Sequence, residues 1–273
     1  MTEFSLIDAF VRALPHAKSP RGPGDDCAVL AKGLCVTTDA LVEGVHFRRP
    51  PFSLEDVGHK ALAVNLSDLA SMGARPDWWL CALGLPRDFR EDELLKLAAG
   101  MRPLALRHGL TLVGGNVTRS PVLSLTLTVA GTAKKPLLRS GAKPQDLVYV
   151  AGRLGEAVQL DSLAQRRPTP LVDEGLLASR YASAAIDVSD GLLQDLGHVL
   201  EASGVGADIH GVPARTGEDY ALLLAVPPRK ARALERAWKS AAPLKAIGAF
   251  TRRRGLRLDG RAVEPSGFDH FAQ

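Results

Sequence analysis

The sequence predicts an α+β fold in two parts, an N-terminal mixed α/β domain over residues 1–135 and a C-terminal α+β domain over residues 136–273. Three observations point there. Segments with helical and strand periodicity alternate along the whole chain. A stretch rich in Lys, Pro and Gly, residues 132–146, interrupts them near the middle. A length of 273 residues suits two domains of ordinary size.

In chain order, MTEFSLIDAFVRALP carries two acids and no basic stretch ahead of an apolar one, so it predicts a first helix and not a signal peptide. Residues 33–39 read as a strand ending in Asp39. Residues 55–72 read as a helix with Leu62, Leu66 and Leu69 on its apolar face and a stop at Gly73. A second helix, 91–108, has Leu94, Leu95, Ala98 and Met101 on one face and a predicted kink at Pro103. A short strand then enters a glycine turn at Gly114-Gly115-Asn116. Residues 122–130 alternate strictly, with Leu123, Leu125, Leu127 and Val129 opposed to Ser124, Thr126 and Thr128, which is a half-buried strand. Past the junction, 147–150 opens a strand leading to a glycine-bounded helix. A strand follows at 184–187, a helix at 192–202 stopping at Gly204, and a strand at 221–226. Leu256-Arg257-Leu258 turns at Asp259-Gly260 into a hairpin.

Composition removes several classes of function. With 46% hydrophobic and 23% charged residues the chain builds a sizeable core and is not disordered. No apolar run approaches the roughly 18 residues of a membrane span. Cys27, Cys35 and Cys81 are odd in number and lack metal spacing, so reduced thiols in a cytoplasmic protein are expected. The net charge of +4 comes from scattered basic residues, apart from Arg252, Arg253, Arg254 and Arg257 beside the hairpin. No aromatic residues interleave with them, so nucleic acid is not expected as a partner, and phosphorylated small molecules suit the mild excess better.

The chemistry lies in carboxylates at strand ends and turns. Asp25-Asp26 follow Gly22-Pro23-Gly24, Asp39 ends a strand, and Asp68 shares a helix face with Asn65. Asp187, Ser189 and Asp190 occupy a strand-to-helix turn, and Glu218-Asp219 follow Thr216-Gly217. Singly, each has a structural explanation: Asp190 caps the next helix, and Asp68 is a solvated helix residue. Brought together, such acids repel by about 4 kcal/mol per pair 4 Å apart at an effective dielectric of about 20, so the cluster needs cations. Oxygen ligands without His or Cys indicate Mg²⁺ or Ca²⁺, and Mg²⁺ held by few protein ligands bridges to phosphates. The glycine turn at 114–116 offers backbone N–H groups to those phosphates. Neither a Walker A sequence nor a G-x-G-x-x-G fingerprint occurs.

Eight segments together resemble one family, thiamine-monophosphate kinase: GDDCAVL at 24–30, VTTDALVEGVHF at 36–47, HKALAVNLSDLASMGARP at 59–76, LVGGNVTRSP at 112–121, LLRSGAKPQD at 137–146, AIDVSDGLLQDLGHVLEASGVGA at 185–207, TGEDYALLLAVP at 216–227 and GFDHF at 267–271. The match runs in order over nearly the whole chain. The resemblance implies transfer of the γ-phosphoryl group of ATP to thiamine phosphate. It also implies a homodimer joined through a sheet of the N-terminal domain. By the same resemblance Asp26, Thr37, Thr38, Asp39, Asp68 and Asp187 hold several Mg²⁺ ions, with Asp190 a further ligand. Gly115, Asn116, Arg139 and Ser189 contact ATP, while His46, Glu218 and Phe268 hold the acceptor. Asp39, Asp68 and Arg139 are the implied catalytic residues. For His46 a plain loop histidine, and for Phe268 plain packing, are the competing accounts.

Residue 116 departs from the family, which usually carries an acid there that helps ligate a metal. Within the wider superfamily, the resemblance also admits an ATP-dependent synthetase or dehydratase. The hydrogenase-maturation member acts through a C-terminal cysteine, whereas this sequence ends Phe271-Ala272-Gln273, and the selenophosphate member uses a reactive thiol near the N-terminus, where only Cys27 stands. A nucleotide-binding protein without turnover is the alternative from another class.

Overall fold

The computed structural model describes residues 2–157, 162–213 and 215–271. Helix α1 (Glu3–Arg12) starts at a capping box between Thr2 and Ser5. Then come β1 (Ala28–Val29), β2 (Leu34–Val42), α2 (Leu54–Ser71), β3 (Arg75–Leu85), α3 (Glu91–His108), β4 (Thr111–Arg119) and β5 (Ser124–Thr132). The strands form one sheet in the order β1-β2-β5-β3-β4. Leu125, Leu127 and Val129 of β5 are buried while Thr126 is exposed, the alternation read from the sequence.

Helix α2 is held at its start by a Ser53–Asp56 capping box. Nearly every residue of it is buried, so it lies between layers and not on a surface. The approach to α3 is tight enough to require glycine. A Cβ on Gly58 would fall 2.1 Å from the Leu97 carbonyl oxygen, and one on Gly100 would fall 2.0 Å from that of Glu55.

The second half contributes β6 (Leu147–Ala151), α4 (Leu163–Arg166), α5 (Val172–Ala178), β7 (Ala184–Val188), α6 (Leu192–Ser203), β8 (Gly206–Ile209), β9 (Ala221–Val226), α7 (Pro228–Ala237), β10 (Leu244–Thr251), β11 (Gly255–Leu258) and β12 (Arg261–Val263). Its sheet runs β12-β11-β8-β10-β6-β9-β7. Pairing is antiparallel except between β11 and β8. One face packs on α6 through Ile186, Leu196, Val199 and Phe250. The other sends Tyr149, Leu222 and Leu224 into the core built on α2. One hydrophobic core therefore runs from β5 through α2 to the second sheet, across position 135.

Three local expectations differ from what forms. Residues 114–116 are not a turn: β4 runs straight through the glycine pair, hydrogen-bonded to β3. Strand β3 has no counterpart in the sequence reading, because Pro76 and Asp77 break the apolar pattern at its start. Helix α3 has the expected bounds, Glu91–His108, with Pro103 inside it. The glycine-bounded helix expected after residue 150 is replaced by bends at 152–157, and 158–161 lie outside the described residues.

Candidate active site

The second half of α2 gathers the acids. Ser67 Oγ donates to Asp187 Oδ2 at 2.7 Å, and Ser71 Oγ donates to Asp26 Oδ2. Thr37 Oγ1 donates to Asp68 Oδ2 at 2.5 Å. These three bonds bring the end of β7, the turn ahead of β1, and β2 onto one helix. Asp39 lies two residues beyond Thr37 and so points to the same side of β2.

Their closeness raises the proton affinity of Asp39, Asp68 and Asp187. Asp39 is pushed up to about 6 by burial and then by Asp190 and Asp26. Asp187 is pushed up to about 8, again by burial and then by Asp26. Asp68 is held well above the carboxylate range by burial, Asp39, Asp187 and Asp26. Among the described residues Arg139 supplies the positive charge paired with this cluster. Its Nη2 lies 2.7 Å and its Nε 2.8 Å from Asp26 Oδ1. The Arg139 backbone N–H donates to Asp25 Oδ1 at 2.8 Å, which fixes the segment that carries it.

The donor set suits a hard cation shared with phosphate. Among the described residues no group of three or more His, Cys, Asp or Glu side chains is arranged to hold a metal ion. The acids gather instead, with the Thr37 hydroxyl, around the second half of α2. Mg²⁺ takes one or two carboxylates and completes its shell with water and substrate phosphates, so an open arrangement fits it. Cys27 offers no thiolate, since burial and then Asp68 hold its thiol protonated.

The turn after β7 is braced by a residue the sequence reading missed. Buried Asp195 of α6 accepts the backbone N–H groups of Ser189 and Gly191, both at 3.1 Å. Asp190 sits in this turn, and its carbonyl accepts the Phe268 N–H at 2.9 Å. Ser189 offers its carbonyl to the Glu218 N–H at 2.7 Å.

Not every residue assigned to the nucleotide and metals joins the cluster. Thr38 Oγ1 donates to the Leu127 carbonyl at 3.0 Å, on the opposite side of β2 from Thr37 and Asp39. Gly115 and Asn116 are exposed on the edge strand β4. The register runs Asp39–Leu127–Cys81–Gly115, three strand spacings, or about 14 Å along the sheet. Within one chain they stand apart from Asp39.

A second group brings His46 near Glu218 and, through His270, near Phe268. His46 Nδ1 accepts the Val42 N–H at 3.0 Å, which leaves Nε2 as the donor of the neutral ring. Burial, then His270 and Lys60, lower its proton affinity. The His270 ring joins His46 to Phe268, with centroids 5.1 and 4.8 Å away. Phe268 is exposed and so is not part of the core. Glu218 holds a left-handed φ of 52°, and Tyr220 one of 49°, a backbone strain found at functional sites. Behind Glu218 opens a cavity of about 520 Å³, lined also by Arg153, Glu156, Arg167 and Tyr220. Lys60 was missed altogether, because one lysine in an apolar helix gives no sequence signal.

Known proteins share this arrangement along the chain. Residues 24–133 match the family model described as AIR synthase related protein, N-terminal domain. Thiamine-monophosphate kinase of Salmonella typhimurium is 38% identical over 325 aligned positions, covering 99% of this chain and 98% of that one. The solved structure "AaThiL complexed with AMPPCP and TMP" superposes with a TM-score of 0.86 at 31% identity, covering 99% of this chain and 97% of that one. A further thiamine monophosphate kinase structure, from Aquifex aeolicus, superposes with a TM-score of 0.84 at 30% identity, over 96% of this chain and 98% of that one.

Proposed function

The chain belongs to the thiamine-monophosphate kinase family, and we propose that its carboxylate cleft transfers the γ-phosphoryl group of ATP to thiamine phosphate, giving thiamine diphosphate and ADP. The observation that carries this is the convergence of Asp26, Asp68 and Asp187 on α2 through Ser71, Thr37 and Ser67, with Asp39 beside them and Arg139 paired to Asp26. Such an array is stable with cations and phosphates in it and unfavourable without them.

Asp26, Thr37, Asp39, Asp68, Asp187 and Asp190 are the residues that would hold Mg²⁺, with Thr38 and Asn116 as the outlying members of that set. When bound, Mg²⁺ neutralises phosphate charge and draws two polyanions together. The acceptor is already an ionised phosphate oxygen, so the protein needs no strong base. Its own task is alignment for in-line transfer. Arg139, fixed on Asp26, presents its guanidinium to the transferring group. His46 Nε2–H offers a hydrogen bond to the acceptor phosphate. Glu218 and the Phe268 face suit the amino group and cationic ring of the acceptor's organic end. Ser189 and Gly115 complete the nucleotide contacts.

The reading extends to a cytoplasmic homodimer in which each chain has two domains, 1–135 and 136–273, the second completing the active-site cleft. Strand β4 supports the dimer, since its edge is unpaired and Leu112, Val113 and Val117 on it are each more than half exposed. In such a dimer Gly115 and Asn116 lie at the joint and reach a nucleotide across it. The direct test is formation of thiamine diphosphate from ATP and thiamine phosphate. Purified protein with Mg²⁺ that forms no product, or that hydrolyses ATP equally without acceptor, overturns the assignment.

A further inference from the structure

Lys60 is fully buried, an unusual state for a lysine, and it lies in the middle of α2. Its Nζ sits 2.5 Å from Glu218 Oε1, a residue 158 positions away on the other side of the cleft. The second oxygen, Oε2, accepts the Gln165 side-chain N–H at 2.7 Å. Phe52 lies beside the ammonium group, with its ring centroid 5.6 Å from Nζ. The Glu218 side chain is still 34% exposed, so its carboxylate is gripped from behind and open in front.

The position along the helix matters as much as the bond. Residues 60, 67 and 71 are spaced i, i+7 and i+11 and form one stripe of α2. Ser67 and Ser71 on that stripe hold Asp187 and Asp26 of the acid cleft. Lys60 holds Glu218, about 10 Å further along the axis at 1.5 Å per residue. One rigid helix therefore sets the spacing between the donor side and the acceptor side.

We infer that Lys60 is a positioning residue for the acceptor, holding the Glu218 carboxylate at a set distance from the acid cleft. The inference rests on the kinase reading above. A Lys60–Glu218 pair that served stability alone would not need a glutamate in a left-handed backbone conformation with one face open to the site.

The test compares KM for thiamine phosphate and for ATP in wild type, Lys60→Met, Glu218→Ala and the double variant, with melting curves for each. Lys60→Met is expected to raise KM for thiamine phosphate about tenfold, leave KM for ATP unchanged, and add nothing in the Glu218→Ala background. A lower melting temperature with an unchanged acceptor KM would show a structural pair and overturn the inference. So would an undiminished effect of Lys60→Met without Glu218, which would mean that Lys60 touches the acceptor itself. Should Lys60→Met fail to fold, Lys60→Arg carries the test. Its planar fork displaces the carboxylate, and a rise of about threefold in acceptor KM alone is expected, an unchanged value being disproof. A wild-type protein that makes no thiamine diphosphate overturns both readings; an active wild type with acceptor KM unmoved by either variant overturns this one alone.

Discussion

At Asp39 two demands conflict, and the conflict gives a prediction in each direction. The carboxylate is disfavoured by burial and by neighbouring acids until a cation arrives. Asp39→Asn is therefore expected to lower turnover by about a hundredfold or more, because phosphoryl transfer relies on that charge. The same change should raise the melting temperature of the metal-free protein. If the metal-free variant melts several degrees lower, Asp39 is a structural hydrogen-bond acceptor instead. Asp187 contributes to the pH dependence together with Asp39 and Asp68. The folded Asp187 carboxyl titrates at about 8 against an ordinary 3.8, so between those values the folded chain keeps a proton that the unfolded chain has lost. Stability of the metal-free protein then falls as pH rises across that window and levels off above it. Melting curves from pH 5 to pH 8 should show the fall, and Asp187→Asn should make it shallower; an equal slope in the variant would assign the effect to the other acids alone. Asp187 was legible in the sequence because it lies at the end of a strand before a glycine turn; Asp39 was singled out as a strand end, although β2 continues past it to Val42. Asp195 and Lys60 were not, since a helix residue shows its partner only when the chain has folded.

Helix α2 is the element on which the site depends, and its neighbours hold it by small residues. Gly58 meets α3 at the Leu97 carbonyl, and Gly175 of α5 meets α2 at the Ala70 carbonyl, each leaving about 2 Å for an added Cβ. Backbone atoms cannot rotate aside as a side chain would, so Gly58→Ala must push the helices apart. Overpacking of this kind costs about 1–3 kcal/mol. In a chain of this size that corresponds to a melting temperature lower by about 2–4 °C per kcal/mol. A variant that melts with the wild type would show that α2 and α3 have slack between them. Helices α1, α2, α3 and α6 and strands β5, β7 and β9 could be read from the sequence, because each is periodic, strictly alternating or a continuous apolar run; α5 and α7 were not read. Strand β3 was hidden by Pro76-Asp77, and β4 was mistaken for a turn because two glycines punctuate it. The pairing that makes β4 a strand comes from β3, far away in sequence. A local pattern cannot show such a partner.

For the whole molecule, the open edge of the first sheet and the remoteness of residue 116 lead to one experiment. Leu112, Val113 and Val117 leave β4 apolar and unpaired, the condition that invites a second chain. Asn116 lies on that strand, about 14 Å along the sheet from Asp39 of its own chain. It shares an ion with an acid cleft only if a second copy brings the two together. Sedimentation should therefore find a dimer, and Val117→Lys, which places a charge on the edge, should give a monomer. Asparagine at 116 retains an oxygen ligand but lacks the charge of the family's usual acid. Asn116→Asp should accordingly lower the Mg²⁺ concentration for half-maximal rate in the dimer, with little change in rate at saturation. In the Val117→Lys background the same change should leave the Mg²⁺ dependence unaltered, because the residue no longer faces a nucleotide. Equal responses in dimer and monomer would place residue 116 in its own chain's site and refute the assignment across the joint.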